Sequence, residues 1–108
     1  MLFDPKWEQK VAIEPWRQAL LDAADYIETH GWSRGLPRQG SAVCALEAIR
    51  RSVGRGRARV EAMDHLGRLF APSFLEPSRW DVAMWNDLAG QTKANVVATM
   101  RAVARQGE

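Results

Sequence analysis

The sequence contains a single cysteine, Cys44, and no apolar run that approaches the length of a membrane span. One cysteine cannot form an intramolecular disulfide, which is typical of proteins from a reducing compartment. A membrane-spanning helix needs about 20 consecutive apolar residues. The first ten residues, MLFDPKWEQK, contain acids and a proline but no apolar core, so they do not resemble a secretory signal. We therefore expect a cytoplasmic protein with no membrane partner.

Signatures of the common enzyme classes are also missing. There is no phosphate-binding loop, dinucleotide fingerprint or serine nucleophile elbow. Cys44, His30 and His65 are the available nucleophile and bases, but no spacing connects them, and a cysteine in an apolar pattern is usually inert. One cysteine and two scattered histidines provide no pair of metal ligands at helical or knuckle spacing. We expect no enzymatic activity, no metal and no cofactor.

The net charge is small, and the basic residues are unevenly distributed. The 108 residues carry a formal net charge of +2 and are 46% hydrophobic, which together argue against disorder of the whole chain and for one domain. Six arginines lie between residues 50 and 68, against only Glu61 and Asp64. The basic character of the protein therefore comes from one short segment.

The apolar residues recur at helical spacing. Behind Pro15 they recur three and four residues apart as far as Ile27, and Gly31 is placed to end this helix. The same spacing predicts a second helix capped by Ser41 and a third over about residues 58–70, with Val60 and Leu69 facing inward. A short helix over RWDVAMW and a last helix over about residues 92–105 complete the set.

The strict alternation of β-branched residues that is typical of strands is absent. We therefore predict an all-α compact domain of four to five helices, with room for a short two-stranded element near residues 32–43. The helical domain is expected to span residues 15–106, behind an N-terminal extension of residues 1–14.

The stretch WNDLAGQT, residues 85–92, combines a tryptophan with polar turn-forming residues. Asn86 and Asp87 are suited to accept backbone N–H groups in a turn, and Thr92 to cap the last helix, worth about 1 kcal/mol. Trp85 is expected to pack against the first and last helices, and Trp32 against the helix that it follows. The alternatives are functional: Asp87 as a general base or ligand beside a substrate stacked on Trp85, and Trp32 as an exposed anchor for a partner.

Three segments, AADYIETHGW, VCALEAI and WNDLAGQTKANVVATMRAVA, resemble a family of small, functionally uncharacterised proteins of actinobacteria, other bacteria and phages. In that family a first helix ends in Gly-Trp, a helix carries Cys-Ala, and a Trp-Asn-Asp loop leads to a last helix capped by Thr. This chain departs from the pattern in having Glu47 in place of a small glycine and Asn95 in place of a capping-box Glu. The resemblance covers most of residues 20–104 and implies a common fold but no known activity.

The arginine-rich segment RRSVGRGRARV is the main candidate for a binding surface. Arg50 and Arg51 complement the C-terminal dipole of the second helix, so their position needs no ligand. Arg57 and Arg59 lie near the start of the third helix, where a cation is unfavourable by roughly 0.3–1 kcal/mol. With Arg55 they are suited to bind an acidic protein surface or a phosphate backbone, although such runs are also common in solvated loops.

We interpret the chain as a small non-catalytic helical protein, accessory or regulatory and of phage or mobile-element type, that binds another protein. The expected contact residues are Arg55, Arg57, Arg59 and Trp7, since an apolar ring among charges needs a groove to occupy. One alternative is a nucleic-acid-binding module that uses the Arg-rich loop 50–59. Against it, the whole-chain charge is low and no aromatic residue lies among the arginines. A second alternative is a small enzyme that uses Cys44 or Asp87.

Overall fold

A computed structural model describes residues 13–36, 38–71 and 79–106 of the chain. These residues form five helices and two short strands. In chain order the elements are α1 (Pro15–His30), β1 (Arg38–Gln39), β2 (Ala42–Val43), α2 (Ala45–Val53), α3 (Arg57–Gly67), α4 (Arg79–Asn86) and α5 (Lys93–Ala104). The prediction of an all-α domain with a short two-stranded element is confirmed. Trp7 and residues 1–12 of the predicted extension lie outside the described residues.

Helix α1 is the centre of the core, because α5, α2 and α3 all pack against it. Its buried face combines Trp16, Leu20 and Ile27 with three alanines, which let neighbouring helices approach closely. The helix ends at Gly31, whose φ of 106° is a conformation that L side chains rarely adopt. A Cβ at Gly31 would also lie 3.2 Å from the Cβ of Ala42, so this glycine lets the strand pair lie directly against the helix end.

Helix α5 carries the predicted apolar stripe, and its buried residues include Val96, Val97, Met100 and Val103. At its C-terminal end, the guanidinium Nη1 of Arg17 donates to the carbonyl oxygen of Ala104 at 2.9 Å. That contact satisfies a carbonyl that has no partner within the helix and places a cation at the negative end of the helix dipole. It joins the first turn of α1 to the last turn of α5.

The second helix begins later than predicted, because a β-hairpin precedes it. Gly40, with φ of 62°, turns the chain so that Ala42 pairs with Gln39, and the helix begins only at Ala45. Ser41 therefore lies in the hairpin turn, where its hydroxyl donates to the carbonyl of His30. The capping residue is instead Cys44, whose sulfur accepts the backbone N–H of Glu47 at 3.4 Å. Cys44 is thus a helix cap and not an interior helical residue.

One other packing prediction is wrong. Val60 and Leu69 are 55% and 48% exposed, because α3 ends at Gly67 and buries the face formed by Ala62 and Leu66. Trp85 lies on α4, which packs chiefly against α2 and α3, and its predicted contact with the first and last helices stays a prediction. Its ring stacks on Phe70, with ring centroids 4.9 Å apart.

Candidate functional site

The side chain of Asn86 joins three parts of the fold at the C-terminal end of α4. Its Oδ1 accepts the indole Nε1–H of Trp32 at 2.7 Å and the backbone N–H of Ala45 at 3.0 Å. Its Nδ2 donates to the carbonyl of Ser33 and to Oδ1 of Asp87, both at 3.0 Å. Asn86 is 0% exposed, and both lone pairs and both amide hydrogens of its side chain are used. We call this set of contacts the Asn86 junction.

Asp87 extends the junction to the surface. Its Oδ1 accepts the backbone N–H of Gly35 at 2.8 Å as well as the amide of Asn86. The guanidinium Nε of Arg34 donates to the Asp87 carbonyl oxygen at 3.3 Å. Asp87 is exposed and borders a cleft, yet its carboxylate orders the loop that follows α1.

Two further residues of the 85–92 segment hold the chain between α4 and α5. Thr92 is the cap of α5, because its hydroxyl oxygen accepts the backbone N–H of Asn95 at 3.1 Å. The side chain of Asn95 donates to Oε1 of Gln91 at 2.6 Å and so stays within the same turn. The side chain of Gln91 donates in turn to the carbonyl of Trp85 at 2.8 Å, which ties the start of α5 back to α4.

A cleft of about 250 Å³ lies beside the junction, between the start of α2 and the side of α4. The residues that line it are Gly35, Leu36, Cys44, Leu46, Glu47, Arg50, Trp80, Ala83, Asn86 and Asp87. Most of the lining is apolar, and its polar groups are held by their neighbours: Glu47, for example, pairs with Arg51 at 3.0 Å. Among the described residues, no buried side-chain nitrogen or oxygen lacks a hydrogen-bond partner.

Cys44 has the surroundings of an unreactive thiol. Burial raises the pKa of the Cys44 thiol above its ordinary value, and the N–H bond from Glu47 offsets only part of that rise. The two histidines are engaged elsewhere: His65 stacks on Trp16 with centroids 3.6 Å apart, and His30 stacks on Tyr26 at 4.1 Å. Within the described ranges, no group of three His, Cys, Asp or Glu side chains is arranged to hold a metal ion.

A second hollow of about 320 Å³ lies between α2, α3 and α4. It shares the lining residues Leu46, Arg50 and Trp80 with the cleft, so the two hollows are adjacent. Leu46, Met63 and Val60 form its apolar lining, and Arg50, Arg59 and Arg79 supply charge. We call the two hollows together the Trp80 groove.

Trp80 dominates this groove because it borders both hollows while its side chain is 65% exposed. The guanidinium of Arg79 lies over the Trp80 ring at 5.3 Å from its centroid. Met84 follows one turn later on the same exposed face of α4 and is 68% exposed. The opposite face of α4 buries Val82, Trp85 and Asn86 in the core and the junction.

A model of a family of unknown function, DUF6197, matches residues 13–106 of the chain. The chain belongs to the DUF6197 family. Both the Asn86 junction and the Trp80 groove lie within the DUF6197 match. No curated protein and no solved structure matches the chain. The expectation of a functionally uncharacterised family is confirmed, whereas the quoted motifs and the bacterial or phage origin stay predictions.

The structure separates the contact residues that the sequence predicts for this DUF6197 protein. Arg59 borders the Trp80 groove, whereas Arg55 and Arg57 are exposed at the turn before α3 and at its first residue. Trp7 lies outside the described residues. The predicted structural residues Trp32, Trp85, Asn86, Asp87 and Thr92 lie at the C-terminal end of α4 and in the segments joined to it.

Two groove residues that sequence reasoning missed are Arg79 and Trp80. A signal for Trp80 was present in RWDVAMWN, where Trp80 and Met84 are four residues apart and so share one helical face. Val82, Trp85 and Asn86 share the other face, and only one of the two faces can be buried. Which face is buried depends on α2 and α3, which the eight residues do not encode.

No helix in residues 13–36, 38–71 and 79–106 of this DUF6197 chain combines the length and the apolar content that crossing a bilayer requires. The helix with the longest span, α1, has 16 residues and exposes charged side chains such as Asp22 and Asp25.

Proposed function

We propose that this DUF6197 protein is a non-catalytic interaction protein that binds another protein through the Trp80 groove. The observation that supports this most directly is the exposure of the Trp80 ring above two apolar hollows with arginine at their edges. Tryptophan and arginine are enriched among the residues that contribute most to protein–protein binding. An exposed aromatic ring next to an apolar depression gives a partner a large area to cover at little cost in ordering.

The absence of catalysis is part of the same proposal. The thiol of Cys44 is mostly buried and caps α2, and burial raises its pKa, which opposes formation of a nucleophilic thiolate. The carboxylate of Asp87 accepts two N–H groups from its own chain. These contacts give both residues a structural reason for their positions that requires no substrate.

The proposal also covers the cellular role, the location and the origin of the protein. An accessory or regulatory role is the form that we propose for this binding function. A cytoplasmic location fits a lone cysteine that serves as a helix cap. The phage or mobile-element origin follows from the sequence resemblance alone.

The experiment is selection of displayed random 16-residue peptides on the immobilised full-length protein, followed by measurement of Kd by fluorescence polarisation. Replacing Trp80 with alanine is expected to weaken the selected peptides by about tenfold or more, the loss typical of a central aromatic anchor. Met84→Ala is the matched control, because Met84 is equally exposed on the same helix but is not among the described residues that line the groove. Equal affinities for wild type and Trp80→Ala would contradict the proposal.

A further inference from the structure

We infer that the occupant of the Trp80 groove is an acidic segment of a partner protein that carries two apolar anchor side chains. This inference rests on the proposed function and specifies the chemistry of the ligand. It follows from the charges at the edge of the groove and from the division of its floor into two hollows.

The edge of the groove is positively charged. Arg50 borders both hollows, while Arg59 and Arg79 border the hollow between α2, α3 and α4. They come from three different helices, so the positive charge does not form a single run along one helix. An acidic partner is favoured there by complementary charge, which accelerates association and fixes the orientation of the complex.

The acids near the groove do not cancel this charge. Glu47 pairs with Arg51 at 3.0 Å and lies 3.7 Å from Arg50, so one carboxylate is shared between two arginines. Asp87 accepts the N–H of Gly35 and the amide of Asn86 at the far end of the cleft. Arg59 and Arg79 have no carboxylate within ion-pair distance among the described residues. In the described part of the chain, no ion pair therefore neutralises these two arginines.

The two apolar hollows at the floor of the groove are suited to bind two apolar side chains of a ligand. The hollows measure about 250 and 320 Å³ and meet at Leu46 and Trp80. Pockets for drug-sized ligands and cofactors typically measure about 300–1,000 Å³, so each hollow is at or below the lower end of that range. A single aliphatic or aromatic side chain suits each hollow better, and a segment with two such anchors would place one on either side of the Trp80 ring.

Other occupants suit these features less well. Nucleic acid would match the arginines, but Leu46, Val60 and Met63 offer no hydrogen bond to a phosphate or a base edge. The N-terminal segment of this chain, residues 1–12, carries two acids and two lysines, so it has no net charge to complement the groove. A second copy of the chain would have to present an acidic apolar surface of its own.

The test compares peptide selections on three full-length proteins: wild type, Arg59→Glu/Arg79→Glu, and Arg38→Glu/Arg105→Glu as a control with the same change of charge. Arg59 and Arg79 lie in the first turns of α3 and α4, where a Glu is favourable, so the reversal is not expected to impair folding. Arg38 and Arg105 are exposed and are not among the described residues that line the groove. Each variant is checked by urea unfolding before use.

Peptides selected on wild type are expected to be enriched in Asp and Glu and to contain two apolar residues. On Arg59→Glu/Arg79→Glu the enriched charge is expected to change to Lys and Arg, and the wild-type peptides to bind about tenfold more weakly. The control variant is expected to select the same acidic peptides as wild type. Selected pools with the same charge composition on wild type and on the groove variant would overturn the inference.

The failures of the two proposals are distinguishable. Selected peptides that depend on Trp80 but not on the arginines would overturn the acidic ligand and leave the protein-binding function standing. Peptides with equal affinity for Trp80→Ala and wild type would contradict both proposals, because neither would then involve the groove. A fluorescein-labelled 20-nucleotide single strand that binds more tightly than every peptide, and is lost in Arg59→Glu/Arg79→Glu, would assign the groove to nucleic acid. A dimer of wild type that dissociates in Trp80→Ala would assign it to a second copy.

Discussion

The two faces of α4 differ in almost every physical respect although the helix has only eight residues. One face carries Asn86, fully buried, with its side-chain amide fully hydrogen-bonded. The other carries Trp80 and Met84, both about two-thirds exposed. The polar residue is buried and the apolar residues are exposed, which is the reverse of the usual distribution. The difference indicates that the junction face carries contacts that order the fold, whereas the exposed face contributes Trp80 to the groove.

The largest loss in the free energy of unfolding is expected when the Asn86 junction is removed. Asn86→Leu leaves the N–H of Ala45, the indole N–H of Trp32 and the carbonyl of Ser33 without their partner in a buried site. Buried polar groups without partners cost about 1–3 kcal/mol each, and partial relaxation should leave a loss of about 2–4 kcal/mol in the free energy of unfolding. Urea denaturation measures this loss. Asn95→Ala, at an exposed asparagine with one side-chain bond, serves as control and should change stability by less than about 0.5 kcal/mol.

A smaller loss in the free energy of unfolding is expected when Asp87 is replaced. Asp87→Ala removes the acceptor for the N–H of Gly35 and for the amide of Asn86, and should cost about 1 kcal/mol of unfolding free energy because the site is exposed. Asp87→Asn keeps an oxygen acceptor and should recover most of that loss. Recovery by Asn supports a structural carboxylate. Equal losses for Ala and Asn would show that the negative charge itself matters at this position.

The smallest change in the free energy of unfolding comes from the Cys44 thiol, and it appears only at high pH. Its pKa in the folded protein is raised by burial, so folding favours the protonated thiol. The resulting stability is fully present below the ordinary thiol pKa of 9.0 and is lost as the pH rises through the raised folded value. Wild type should therefore lose unfolding free energy above about pH 9, and Cys44→Ser should lose less over the same range. Rapid alkylation of Cys44 in the folded protein at pH 7 would instead indicate a reactive thiol.

The sequence predicts the parts of the fold that depend on local spacing. The apolar face of α1, the stripe of Val96, Val97 and Met100 in α5, and the all-α class all follow from three- and four-residue recurrence. The predicted Ser41 cap is wrong because a hairpin turn at Gly40 pairs the next residues with β1 before the helix begins. No local pattern distinguishes that turn from the end of a loop leading into a helix.

The candidate site depends on long-range contacts and was predicted only in part. The polar residues of the 85–92 segment are recognisable as turn-formers, but the partners of Asn86 come from residues 32, 33 and 45, up to 54 positions away. Arg59 was named from its charge, whereas Arg50 and Arg79 reach the same groove from other helices. The exposure of Trp80 was not predictable from the eight residues of α4, because both faces of that helix carry apolar side chains. Only the packing of α4 on α2 and α3 decides which of its faces is buried.

The most direct test of the division between the two faces is a ¹⁵N–¹H NMR titration of the wild-type protein with a selected peptide, observed at the tryptophan indole N–H signals. The indole of Trp32 is bonded to Asn86 in the junction, while Trp80 borders the groove, so each face has its own reporter. We predict that the Trp80 signal shifts progressively with added peptide and by more than the Trp32 signal, whose acceptor Asn86 borders one hollow. A shift at Trp32 with an unchanged Trp80 signal would contradict the assignment of binding to the exposed face of α4.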